Sequence, residues 1–160
     1  MVCTELALEV QGTCGALPVG DVVVDLAIAH TWIGDLTIKL ISPEGTLTTL
    51  MSRPGLIEDA DDGEGCCGDS SDLSEAATIT FIEGGMTDAE DMGSTLEIDG
   101  VVCIDDMLCE YDPNPGAGPG FAFEDYVGEA ANGTWTLCVG DSGFDHEGTL
   151  HSFGISVVVD

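Results

Sequence analysis

The chain carries 31 Asp and Glu side chains, seven cysteines and three histidines against two cations, Lys39 and Arg53. The chemistry open to it is that of carboxylates, thiols and imidazoles. Carboxylates set among glycines and backbone carbonyls are the donors of calcium, which takes about six to eight oxygen ligands. The run Glu58-Asp59-Ala60-Asp61-Asp62-Gly63-Glu64 offers such donors in Asp59, Asp61, Asp62 and Glu64. It is not an EF-hand, because Gly63 takes the fifth position, where that pattern has Asp or Asn, and no Glu closes it. The competing reading of the run is a solvated acidic surface. Adjacent Cys66 and Cys67 are the candidates for redox chemistry, but a reactive thiolate wants positive neighbours or a helix N-terminus. Their neighbours are acidic, so structural disulfides are expected. The bases available to a nucleophile are His30, His146 and His151. No Gly-x-Ser-x-Gly elbow occurs, and Asp141-Ser142-Gly143 reads as a turn, so no base, nucleophile and orienting group fall together. His30, in register with an apolar strand face, is expected to be a hydrogen-bonded structural histidine. By itself the chain is expected not to be an enzyme.

The formal net charge of −29 excludes nucleic acid as a partner, since phosphate recognition needs clustered Lys and Arg, and argues against an anionic membrane surface. The charge does not imply disorder, because 44% of the 160 residues are apolar and low hydrophobicity is what normally accompanies charge-driven disorder. One domain over 1–160 and a monomer are expected. No stretch approaches the ~20 apolar residues of a membrane span, and Met1 to Val10 has neither the basic start nor the apolar run of a signal peptide. Seven cysteines matching no zinc spacing point to an oxidising compartment. A secreted protein is therefore expected, with Met1 marking a trimmed fragment. Position along the chain suggests Cys3 with Cys14, and Cys66 and Cys67 against Cys103 and Cys109, although connectivity does not follow from sequence.

The elements that must carry these residues read as strands. Val22, Val24, Leu26 and Ile28 alternate with other residues at period two, as do Leu36, Ile38 and Leu40. Ser42-Pro43-Glu44-Gly45 supplies a turn before Thr46 to Met51, which predicts a hairpin. Trp135, Leu137 and Val139 repeat the alternation, and so do Phe153, Ile155, Val157 and Val159. Leu6 to Val10 and Thr78 to Ile82 are weaker strands, and no apolar stripe at helical spacing runs for three turns. With 22 glycines and six prolines as punctuation, the pattern predicts an all-β sandwich. The core motifs fall at 22–53 and 121–159. Between them, residues 54–120 form a long acidic, cysteine-rich loop region expected to be pinned by disulfides, with a supporting strand or two within Thr78 to Ile104.

Two segments carry a resemblance. The first runs His30-Thr31-Trp32-Ile33-Gly34-Asp35-Leu36-Thr37-Ile38-Lys39-Leu40-Ile41-Ser42-Pro43-Glu44-Gly45-Thr46 and on to Leu50, Ser52 and Arg53. The second runs Gly128-Glu129-Ala130-Ala131-Asn132-Gly133-Thr134-Trp135-Thr136-Leu137, then Asp141, and Gly148-Thr149-Leu150 through Phe153 and Ile155. Together they resemble the P domain, or Homo B domain, which follows the catalytic domain in kexin- and furin-like proprotein convertases and recurs in secreted bacterial proteins. The resemblance covers most of 15–160; the middle is longer, more acidic and richer in cysteine than the family pattern.

The resemblance implies a jelly-roll-like β-sandwich of about eight antiparallel strands. It implies a non-catalytic, calcium-binding accessory module that supports a neighbouring domain of the parent polypeptide, in the convertases a subtilisin-like serine endopeptidase. It places Asp35, Glu129, Asp141 and Asp145 at strand ends as the first calcium set, ahead of the Asp59 to Glu64 run. The alternative is a glycan- or protein-binding surface module, which exposed Trp32 and Trp135 would favour and buried ones would not. Asn132-Gly133-Thr134 matches a glycosylation sequon but reads better as the turn before the Trp135 strand.

Overall fold

The computed structural model describes residues 3–12, 17–60, 64–65 and 67–160. These residues form nine strands: β1 (Cys3–Val10), β2 (Val19–Ala29), β3 (Leu36–Ile41), β4 (Leu47–Ser52), β5 (Ile79–Ile82), β6 (Thr87–Asp88), β7 (Glu110–Asp112), β8 (Gly133–Asp141) and β9 (Thr149–Val159). Short 3₁₀ turns occupy Ile33–Asp35, Ala89–Asp91 and Phe123–Tyr126. The strands make two sheets, of order β1-β8-β3-β4 and β6-β7-β5-β2-β9.

The period-two residues face the space between the sheets. Val22, Val24 and Leu26 of β2, Ile38 and Leu40 of β3, and Trp135 and Leu137 of β8 are all fully buried there. Each large side chain so buried contributes about 1.5–3 kcal/mol relative to exposure, which makes this alternation the main determinant of the fold. The predicted hairpin forms as β3 and β4, antiparallel with a bulge between Ile38 and Lys39. Not every pairing is antiparallel: β7 runs parallel to both β5 and β6.

The disulfide pairing differs from the expectation. Cys3 pairs with Cys138, and Cys103 pairs with Cys109, closing a loop of only six residues in sequence separation. Neither is the pairing that position along the chain suggested. The register explains the first: β1 lies antiparallel on β8 with Cys3 opposite Gly140 and Glu5 opposite Cys138, so these two cysteines are neighbours across the sheet. Cys67 is also disulfide-bonded; Cys14 and Cys66 lie outside the described residues. The apolar content of 54–120 pins it alongside its disulfides, because Leu73, Ala89, Met92, Val102 and Tyr111 join the central core. Backbone bridges between His30 and Leu73 and between Asp72 and Val101 fasten it further.

Candidate functional site

Asp35 ends the 3₁₀ turn that leads into β3, and Asp141 ends β8. Because the two strands are antiparallel with Leu36 opposite Asp141, residues 106 apart in sequence arrive at one end of the sandwich. The Ser142 N–H donates to the Asp35 carbonyl at 2.9 Å, and the Gly143 N–H donates to Asp141 Oδ1 at 2.9 Å. A Cβ at Gly143 would lie 2.2 Å from Asp35 Oδ2 and 3.3 Å from Asp141 Oδ1. The two carboxylates thus converge on a backbone with room for no side chain. A second close approach forms the same corner: a Cβ on Gly34 would meet the Gly68 backbone at 2.3 Å, so the Gly34-Asp35 turn needs glycine for contact rather than for a left-handed dihedral.

Each carboxylate faces an imidazole. His146 Nδ1 lies 3.3 Å from Asp35 Oδ2, and His30 Nε2 lies 3.4 Å from Asp141 Oδ2. The His146 ring stacks on the Trp32 indole at 5.2 Å with parallel planes. Trp32, Asp35, Cys67, Phe144, Asp145 and His146 line a cleft of about 280 Å³. Phe144 is fully exposed at its mouth.

His30 is buried, and the Trp32 backbone N–H donates to its Nδ1 at 3.1 Å. Nδ1 therefore acts as acceptor and Nε2 carries the hydrogen toward Asp141. Both ring nitrogens are committed, which leaves none to deprotonate a nucleophile. Its backbone is fixed by two hydrogen bonds with Leu73, at 3.0 and 2.8 Å. Beside it, burial and the nearby Asp99 charge hold the Asp72 carboxyl above its ordinary range. Asp72 Oδ1 is buried without a hydrogen-bond partner.

Of the first calcium set, Asp35, Asp141 and Asp145 meet at this end, and Glu129 does not join them. Glu129 precedes β8 at the opposite end, where Thr46 Oγ1 donates to its carboxylate and the Val19 N–H donates to its carbonyl. Nine strand residues, about 25–30 Å at the usual rise, separate the two places. Of the second set, Asp59 and Glu64 line a shallow cleft of about 250 Å³ beside Leu56 and Ile57, and Asp61 and Asp62 lie outside the described residues. The Arg53 guanidinium donates to the Glu64 carbonyl and pairs with Glu58, so part of this loop serves an internal ion pair. Among the described residues no group of three or more His, Cys, Asp and Glu side chains is placed to hold a metal ion.

Trp135 is fully buried, donates Nε1–H to the Ala131 carbonyl at 3.1 Å and meets Tyr126 edge-on at 5.1 Å. Asn132 accepts the Gly12 N–H at 2.6 Å through its side-chain oxygen, as a turn residue. The sequence marks His146 only as an available base and gives no role to Asp72 and no partner to Cys138. The Leu36–Asp141 register, derivable from the strand alternation once a β3–β8 pairing is assumed, is the signal that brings His146 to Asp35.

The family pattern of the proprotein convertase P-domain matches residues 19–65 and 115–157, more than half of the chain. The chain belongs to the proprotein convertase P-domain family. No match was found among curated proteins. Two crystal structures share the fold of this P domain at 17% identity: the serine protease of Aeromonas sobria, with a TM-score of 0.51 over 99% of this chain, and the complex of that protease with its chaperone, with a TM-score of 0.50 over 98%. In each case this P domain spans 23% of the other chain's length. The two matched stretches contain the Asp35 turn and Asp141, whereas the loop carrying Cys103 and Cys109 lies outside them.

Proposed function

We propose that this P domain is a non-catalytic accessory module of a secreted protein that carries a subtilisin-like serine endopeptidase. It supports the neighbouring domain by contact, and calcium braces the Asp35–Asp141 corner. One observation carries the metal part of the reading: the β3–β8 register sets two carboxylates across Gly143 with only backbone between them. Two carboxylates with the carbonyls of the 141–145 loop and water suit a hard cation. Asp145 lines the same cleft as Asp35 and would be the further side-chain donor. When bound, calcium would neutralise the two convergent charges; His30 would orient Asp141 through Oδ2, leaving Oδ1 toward Gly143, and His146 would hold Asp35 at Oδ2. The disulfides support an oxidising compartment.

Thermal unfolding after chelation, with calcium, magnesium or NaCl returned at matched ionic strength, tests this reading. A ligand bound only to the native state stabilises by about 2.7 kcal/mol at a hundredfold excess over its dissociation constant. A calcium-selective rise that Asp35→Asn and Asp141→Asn abolish is expected. Equal effects of all three salts would remove calcium from the reading. A parent polypeptide lacking any subtilisin-like domain would remove the protease. The glycan-binding alternative is weakened because Trp135, one of its two aromatics, is in the core.

A further inference from the structure

The two sheets differ in how their outer strands are finished. The outer edge of β4 is covered by the 113–120 segment, through Thr49 N–H to the Pro119 carbonyl at 2.9 Å and Asn114 N–H to the Leu50 carbonyl at 3.0 Å. β6, at one end of the other sheet, is two residues long. On the opposite side of the sandwich, β1 and β9 are terminal strands of eight and eleven residues. Among the described residues neither has a backbone partner along its outer edge.

Between these open edges lies a groove of about 340 Å³, lined by Leu6, Ile28, Val139 and Leu150, with Asp141 and Glu147 also on it. The inward residues Phe153, Ile155 and Val157 of β9 are only half-buried, and so are Leu8 and Val10 of β1. The core is therefore unsealed along this side. Long edge strands are usually blunted by charge or proline, yet Thr149–Val159 contains no Asp, Glu, Lys, Arg or Pro. Carboxylates flank it instead, Glu147 before it and Asp160 after it.

Charge decides what fits. Both cations of the chain, Lys39 and Arg53, are buried, so the surface around the groove carries no Lys or Arg at all. A second copy of this chain would bring two bodies of formal charge −29 edge to edge, which electrostatic repulsion opposes. We propose that β9 takes an extended, alternately basic and apolar segment of a partner protein as a sixth strand of its sheet. The partner's apolar side chains fill the groove between β9 and β1, and its basic ones meet Glu147 and Asp160. Main-chain hydrogen bonds supply affinity in such strand addition, and the groove and its charges supply selectivity.

The probe is a capped peptide of about nine residues alternating Lys and Val, some 30 Å when extended. Its binding to the disulfide-intact chain is followed by titration and by amide hydrogen exchange. Slowed exchange concentrated in 149–159 is expected, with affinity falling about tenfold in roughly 0.5 M NaCl and severalfold in Glu147→Lys. Alternate N-methylation of the peptide should abolish binding, and the Glu/Val counterpart should not bind. Thr4→Trp, an exposed substitution at the groove mouth, should weaken binding without lowering the unfolding midpoint. Protection spread over the acidic loops, binding indifferent to N-methylation, or no binding at millimolar peptide would overturn the proposal. So would a concentration-dependent dimer protected at β9 without peptide, which would make a second copy the occupant.

Discussion

Arg53 is buried against Glu58 at the residue where β4 has just ended. Its guanidinium pairs with Glu58, donates to the Glu64 carbonyl, and shares Glu58 with the Ser52 hydroxyl. The backbone adopts φ +52° to reach this position, a left-handed conformation that non-glycine residues seldom take. Removing one member of a buried pair leaves the other charge unsatisfied, at a cost of about 3–5 kcal/mol. Arg53→Ala should lose about that much in urea unfolding, and Arg53→Met with Glu58→Leu should lose clearly less than the sum of the single changes. Additive losses would show that the pair is uncoupled.

Ser52 also donates its N–H to Glu90 at 2.7 Å. Burial pushes the Glu90 carboxyl up to about 7 from 4.5, and Asp88, Glu58 and Asp91 add repulsion against the favourable Ser52 hydrogen bond. Between those two pH values the folded chain keeps Glu90 protonated while the unfolded chain has ionised it. Unfolding then releases a proton, so stability falls as pH rises through the window and this contribution levels off above it. At 1.36 kcal/mol per pH unit the loss is at most about 3 kcal/mol. Glu90→Gln, which keeps the acceptor for Ser52, should flatten the unfolding midpoint between pH 4.5 and 7 relative to the native chain. A variant with the same slope as the native chain would show that the slope belongs to the general carboxylate repulsion.

These two carboxylates were not legible in the sequence, whereas the strands were. Val22 to Ile28 and Trp135 to Val139 announce themselves because each has one buried face, and burial imposes period two. Glu110-Tyr111-Asp112 does not, since a three-residue strand with parallel partners has no local pattern to show. Asp35 and Asp141 sit at strand ends that the family motifs mark, and the β3–β8 register sets them side by side. Glu129 shares the motif-derived set yet lies at the other end of β8, because a motif marks a strand end without saying which end. The stacking of His146 on Trp32 depends on a loop path, and Cys3–Cys138 on a register, neither of which is written locally.

That register makes a prediction for the disulfides. Cys3–Cys138 spans 135 residues and Cys103–Cys109 spans six, and loop-closure entropy grows with the logarithm of the span. The chain-entropy model gives about 5 kcal/mol for the first and about 2 kcal/mol for the second. Cys3→Ala should therefore cost roughly twice as much as Cys109→Ala in denaturant unfolding without reductant. Equal losses would mean that β1 stays ordered in the unfolded reference or contributes little to the fold.

Lys39 and Arg53 are 8% and 2% exposed, so no fixed cation offsets the surface carboxylates. Self-repulsion of so many like charges destabilises the compact state. Screening shortens from about 30 Å at 0.01 M salt to about 3 Å at 1 M. The unfolding midpoint should rise with NaCl over that range, on the order of 10 °C for a chain of this size. Replacing exposed carboxylates that are not among the proposed calcium donors, such as Glu5, Glu75 and Glu97 together, with amides should raise the midpoint in low salt and shrink the salt response. A midpoint indifferent to NaCl would mean that the charges are already spaced beyond effective repulsion. Any stabilisation by calcium would then come from a specific site alone.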